Sequence, residues 1–261
     1  MNPIVVKIGG STLGEHDTTI HDLVRLQALG LPVVVVHGGG NTISEWLGRQ
    51  GIATEFVEGL RVTTAESLDV AVAVLAGLIN KQIVAQLARQ GGRAVGLSGA
   101  DAGLLIGETF DERLGLVGSV TQVGTSILHV MLDHVLIPVV APVAFENTGE
   151  HVSDSGLLNL NADTAAAHIA IGLKASRLVF LTDVPGILDA KGNLLEEVDI
   201  KRGEELLSSG AVTRGMIPKV EACLNALTNG IESHIVDGRV QGTLVTLVNE
   251  SWDRPQGTVF M

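Results

Sequence analysis

A chain of 261 residues that is 46% hydrophobic can bury a substantial core, in one large domain or two modest lobes. Its formal charge of −12 argues against a nucleic-acid binder, because phosphate backbones attract basic surfaces, and five Phe, two Trp and no Tyr leave few base-stacking platforms. The lone Cys223 excludes an intrachain disulfide framework and a cysteine-rich metal site, and suits a reducing compartment.

In chain order, MNPIVVKIGG enters a strand pattern at once, with no basic region followed by an apolar signal core, so a cytoplasmic location is expected. The uncharged stretch 117–132 holds Ser, Thr, Gln and His, and no run of about 18 apolar residues suggests a membrane span. PIVVKI (3–8), LPVVVV (31–36), RAVGLS (93–98), LIPVVAPV (136–143) and RLVFLT (177–182) are apolar on both faces. Such strands belong in a parallel sheet covered by helices on each side. Between them, 65–90 repeats apolar residues at helical spacing until Gly91 and Gly92 end the pattern. The alternation predicts an α/β chain, a three-layer αβα sandwich with a central mainly parallel sheet, right-handed crossovers and two lobes. The softest boundary lies at 172–176 and divides an N-terminal lobe, 1–172, from a C-terminal lobe, 173–261.

VVVVHGGG (33–40) closes a buried-looking strand with three residues that have no side chains. At the carboxyl ends of parallel strands, loops lead into helices whose N-termini present free N–H groups, and ligands collect there. Gly38, Gly39 and Gly40 can approach an anion closely and adopt positive φ, although a tight turn explains a short glycine run equally well. VVKIGGS supplies a second such place on the first strand, with Lys7 inside the strand and Gly9, Gly10 and Ser11 at its end. A cation flanked by apolar residues needs an anionic partner, and two glycine-lined sites on neighbouring strands suggest a polyanion.

The motifs VKIGGS (6–11), VVVHGGG (34–40), GLRVT (59–63), GLSGADAGL (96–104), LNLNADTAA (158–166), LTDVPGIL (181–188) and GMIPKVEAC (215–223) occur in that order. In this the chain resembles the amino acid kinase family over nearly its whole length. The resemblance implies phosphoryl transfer from ATP, with Mg²⁺, to the side-chain carboxylate of N-acetyl-L-glutamate, giving an acyl phosphate early in arginine biosynthesis. It implies that Lys7 and Lys219 are catalytic, neutralising charge on the migrating phosphoryl group and near the leaving side, and that Asp163 orients both. Asp163 also precedes a helical run, so a helix N-cap is its competing reading. Arg61 is implied to grip the substrate α-carboxylate, Asn159 to touch the substrate, and Gly39 and Gly40 to hold its reacting end. Gly9 and Gly10 are implied to hold the phosphates, with Asp183, Val184, Pro185, Gly186, Ile187, Leu188, Ala211, Val212 and Thr213 around the nucleoside. No metal ligand is assigned, since Mg²⁺ in this chemistry commonly rides on the phosphates. His37, closing a buried strand beside the glycines, reads as a hydrogen-bonded structural group rather than a catalytic one.

Three other readings stand beside this one. A relative acting on carrier-bound aminoadipate shares many of these motifs, but a basic surface suited to an acidic carrier is missing at −12. A non-catalytic nucleotide sensor would keep the glycines without needing Lys7, Asp163 and Lys219 together. A dinucleotide-dependent oxidoreductase lacks GxGxxG after the first strand. For assembly, LDVAVAVLAGLIN within 65–90 is apolar beyond one narrow stripe, so a homodimer through it is expected. In the family, members inhibited by arginine carry a further N-terminal helix that links dimers into a hexamer; the six residues before Lys7, Pro3 among them, are too few for one, so a dimer that arginine does not inhibit by this route is expected.

Overall fold

The computed structural model describes residues 2–9, 18–147, 154–212, 215–248 and 257–261. Gly10, Ser11 and Thr213 lie outside the described residues. Strand β1 (Ile4–Ile8) is followed by α1 (Thr19–Ala28), β2 (Val33–His37) and α2 (Gly40–Arg49). A hairpin of β3 (Phe56–Val57) and β4 (Leu60–Arg61) leads to α3 (Ala65–Val72), which passes through a π-helical stretch (Ala73–Ile79) into α4 (Asn80–Arg89). Then come β5 (Ala94–Ser98), β6 (Leu105–Thr109), β7 (Gly118–Val123), α5 (Ser126–Asp133), β8 (Ile137–Ala141), β9 (Val143–Glu146) and β10 (Leu157–Asn159). The remainder is α6 (Ala162–Leu173), β11 (Arg177–Thr182), β12 (Glu197–Val198), α7 (Ile200–Ser208), α8 (Ile217–Thr228), β13 (Ser233–Asp237), α9 (Thr243–Val248) and β14 (Thr258–Phe260).

The central sheet runs β12-β14-β13-β11-β1-β2-β8-β5, parallel throughout except for the β13–β14 pair. Period-two alternation sorts each apolar strand into two cores. Val5, Val34, Val36, Val140 and Phe180 face one cluster with α5, α6, α7 and α8. Ile4, Val6, Val33, Val35, Val139 and Val179 face the other, with α1, α2, the long Ala65–Arg89 helix and α9. The expected αβα sandwich is therefore present, and its strands lack polar alternation because both faces are covered.

Three details differ from the sequence reading. The apolar run 136–143 is two strands, β8 and β9, separated at Pro142, because β9 leaves the central sheet to join a second one, β10-β9-β6-β7. That smaller sheet and the β3–β4 hairpin carry no continuous apolar run. The helix Ala65–Arg89 is long and apolar enough to cross a membrane by length and composition, which the sequence scan for an apolar run did not find. Its Val70, Val74, Leu75, Ile79, Ile83 and Leu87 are spent on the protein's own core.

Phe180, with no exposure, lies in register with Lys7 across the β1–β11 pair. Phe180→Ala should cost about 3–5 kcal/mol, the range for truncating a fully packed aromatic. A urea titration checks this, and an unchanged midpoint would contradict the packing described.

Candidate active site

The strand that carries Lys7 fixes where its ammonium goes. Lys7 follows Val5 on the α6 face of β1 and is only 6% exposed. At the start of α6, Asn161 is the N-cap, its Oδ1 accepting from the amides of Asp163 at 2.8 Å and Thr164 at 3.2 Å. The N-cap reading of Asp163 is thereby corrected: Asn161 already supplies the capping oxygen, and the Asp163 carboxylate is free to turn to the lysines. Lys7 Nζ stands 2.8 Å from Asp163 Oδ1 and Lys219 Nζ 3.1 Å from Oδ2. Lys219, in the first turn of α8, also donates to the carbonyl of Gly215 at 3.2 Å.

Burial presses the Asp163 carboxyl upward, but the Coulomb pull of Lys7 and Lys219 outweighs it and holds the group below the usual carboxylate value. Burial also lowers the Lys7 ammonium, against the attraction of Asp163. Two ammonium groups on one carboxylate leave an excess positive charge beside a cavity, a state that further anionic charge would relieve.

That cavity, about 200 Å³, is lined by Lys7, Gly38, Gly39, Gly40, Arg61, Asn159 and Asp163 together with Phe56, Leu60 and Asn161. Gly39 is the N-cap of α2 and offers no side-chain bond, so the first-turn amides are not capped by a side chain and point to the cavity's end. The expected positive φ is not found at these glycines: Gly39 has φ 176°, an extended value open to any residue. What Gly39 requires is space, since a Cβ there would sit 2.5 Å from Ile79 Cδ1 and 2.9 Å from Leu75 Cδ2. A Cβ on Gly40 would meet no atom within 4 Å.

Arg61 is brought over the cavity by the β3–β4 hairpin. Glu58 and Gly59 form its two-residue loop with φ of 52° and 86°, the left-handed pair that matches the twist of a tight hairpin. The guanidinium stacks on Phe56 with 4.8 Å to the ring centroid and donates through Nη2 to the Gly40 carbonyl at 2.8 Å and Ser44 Oγ at 2.7 Å. Nη1 is buried without a partner. Asn159 donates to Thr63 Oγ1 at 3.1 Å, and Thr63 donates to the Arg61 carbonyl at 3.1 Å, so the two residues are braced together. Phe56, Ser44, Thr63 and Asn161 were not singled out from sequence; only Asn161 had a readable signal, a capping residue two positions before Asp163.

The second group of expected residues lies at the neighbouring strand end. Ile8 pairs with Leu181, so Gly9 and Asp183 leave adjoining parallel strands. Asp183, Pro185 and Leu188 are exposed, whereas Gly186, Ile187 and Val212 are buried and Ala211 is exposed. Ile187 packs in the core and donates its amide to Thr258 Oγ1 at 2.8 Å, so its side chain supports the loop from behind. Among the described residues no group of three His, Cys, Asp or Glu is placed to hold a metal ion.

Asp163→Asn removes the carboxylate paired with both lysines. Because the folded carboxyl is depressed, the stability it contributes is complete above the unfolded value of about 3.9 and is lost as pH falls through the folded one. Urea titrations of the variant from about pH 2 to pH 6 should therefore show a shallower acid-side loss of stability than the parent. An identical slope in both proteins would contradict the charge arrangement.

A sequence profile of the amino acid kinase family matches residues 2–237. The acetylglutamate kinase of Dehalococcoides mccartyi is 42% identical over 247 residues, covering 95% of this chain and 91% of its own. That of a Synechococcus species is 44% identical over 250 residues, covering 93% of this chain and 82% of its own. The crystal structure of the Streptococcus mutans protein smu.665 superposes with a TM-score of 0.83 at 26% identity, covering 99% of this chain and 98% of that one. With a profile that spans most of its length and such relatives, the chain belongs to the amino acid kinase family.

Proposed function

We infer that the protein is an acetylglutamate kinase, an ATP-dependent phosphotransferase that converts N-acetyl-L-glutamate to N-acetylglutamyl 5-phosphate in arginine biosynthesis. The observation that carries the acceptor assignment is the buried, unpartnered Nη1 of Arg61 at a small cavity whose other side holds Lys7 and Asp163. A guanidinium can grip a carboxylate through two parallel bonds, and here Nη2 already donates to Gly40 and Ser44 while the buried Nη1 has no partner. A dicarboxylic acid so held places its second carboxylate toward the lysines.

The reaction needs no general base, since a side-chain carboxylate is ionised at neutral pH. An oxygen of that carboxylate bonds to the γ-phosphorus as the bridging P–O bond breaks, and ADP leaves with the electron pair. Lys7 holds charge on the migrating group, Lys219 on the leaving side, and Asp163 keeps the two ammonium groups in place. Gly39 and Gly40 present amides to the reacting end, and Asn159 contacts the acid. Gly9 and Gly10 take the phosphates, and Asp183, Val184, Pro185, Gly186, Ile187, Leu188, Ala211, Val212 and Thr213 surround the nucleoside. Mg²⁺ carried on the phosphates would supply further charge neutralisation.

In this reading residues 1–172 bind the acid and 173–261 bind ATP, in a cytoplasmic homodimer. The long helix favours that assembly, because Ala73 and Gly77 leave a small-residue strip exposed while Ala76 and Leu78 beside it are half-buried. Light scattering at micromolar concentration should give twice the chain mass of 27.2 kDa, and a monomer would overturn the assembly.

With Mg·ATP, the protein should give a hydroxylamine-trappable acyl phosphate from N-acetyl-L-glutamate in preference to glutamate, aspartate or uridylate. ATP binding without a hydroxamate from any acid would favour the nucleotide sensor. Lys219→Ala should lower kcat by on the order of 10² with KM little changed, as for a group acting mainly in the transition state. Arg61→Ala should instead weaken acid binding by about 2–5 kcal/mol, and an unchanged KM for the acid would remove it from that role.

A further inference from the structure

His37 occupies the last position of β2, on the sheet face opposite Lys7, and has no exposure. Its Nδ1 lies 3.0 Å from the carbonyl oxygen of Gly38 and its Nε2 lies 3.3 Å from Asn80 Nδ2. Asn80 directly follows the π-helical stretch and also donates to the carbonyls of Val139 at 2.8 Å and Leu97 at 3.1 Å. One side-chain amide thus joins β2, β8 and β5 to one helix. Lys81 completes the arrangement, donating to Asn80 Oδ1 at 3.0 Å and the Gly96 carbonyl at 3.1 Å. Gly96 is glycine because a Cβ would fall 1.8 Å from Asn80 Oδ1. Burial moves the His37 imidazole down to about 4, so the ring is neutral near pH 7.

These contacts define a tautomer. The Gly38 carbonyl can only accept, so Nδ1 carries the hydrogen and Nε2 is left as an acceptor facing the Asn80 amide, whose two hydrogens it shares with the nearer Val139 and Leu97 carbonyls. In a trans peptide the carbonyl of one residue and the N–H of the next point in opposite directions. Holding the Gly38 carbonyl on the His37 side therefore turns the Gly39 N–H the other way. Leu75 and Ile79, the latter directly before Asn80, press on the Cα side of Gly39 and block its retreat.

We propose that His37 and Asn80 are positioning residues for phosphoryl transfer, fixing the Gly38–Gly39 peptide so that the Gly39 amide stays aimed at the reacting end of the acceptor. The π-helical stretch is part of the device, because it sets the register in which Asn80 reaches the strand ends while Leu75 and Ile79 rest on Gly39. The role of the Gly39 amide rests on the kinase reading above; the tautomer and the clamp do not.

Two measurements test this. In the unmodified protein, ¹⁵N spectra of the imidazoles at neutral pH should show His37 as a neutral ring with the hydrogen on Nδ1. An Nε2–H or a doubly protonated ring overturns the clamp whatever the enzyme does. In the hydroxamate assay, His37→Leu should lower kcat at least tenfold while KM for both substrates stays within twofold. His37→Asn, whose side-chain amide can replace Nδ1–H toward Gly38, should restore most of it. Gly96→Ala, remote from the cavity, should reproduce the kcat loss by displacing Asn80. Full kcat in His37→Leu, or no recovery in a folded His37→Asn, overturns the proposal. An inactive parent protein with the expected tautomer would instead refute the kinase reading alone.

Discussion

Everything at this site depends on a charge imbalance that the fold has buried. Lys7 and Lys219 share Asp163, the first at 2.8 Å and the second at 3.1 Å. Desolvating three charged groups is costly, and one carboxylate cannot offset two ammonium groups. A protein that keeps such an arrangement is completed by a strongly anionic ligand. The elements around it serve to hold it: β1 carries Lys7 between two parallel neighbours, and Asn161 caps α6 in place of Asp163. Lys219 is tied to Gly215 at the start of α8.

The glycine triplet shows how one motif can meet several demands. Gly39 has no Cβ because the long helix occupies that space, whereas a Cβ on Gly40, at the cavity rim, would meet no atom. Close approach, rather than an unusual backbone conformation, is what the residues provide. The same economy appears at Gly96, whose missing side chain admits Asn80 into the sheet edge. At Gly39 and Gly96 a side chain on another element comes first and the glycine accommodates it.

The central sheet was legible in the sequence because burial on both faces writes itself as uninterrupted Val, Ile and Leu. Lys7 was legible for the converse reason, as a cation where the pattern demanded an apolar residue. Arg61 gave a weaker sign, a guanidinium just after Gly59. The second sheet was hidden, since its strands are partly exposed and their alternation is irregular. Asn80 was hidden too: it sits in a helical run as an ordinary polar residue, and its importance comes from three strands that are distant in sequence. Phe56 and Ser44 acquire their roles only through Arg61, which no local pattern specifies.

The place of β1 in the sheet has a further consequence. The first strand of the chain lies between β2 and β11, and so crosses the proposed division near residue 172. Cutting the chain there would leave the C-terminal piece with β11 as a bare edge and would separate Asp163 from Lys219. Neither piece could close its own core, and an unpaired edge of that hydrophobicity invites association with another strand. Separately produced halves should therefore behave as complementary fragments, each insoluble or poorly folded alone and recovering order when mixed. The lobes bind different molecules in the proposed reading, but a single strand pairs with both of them.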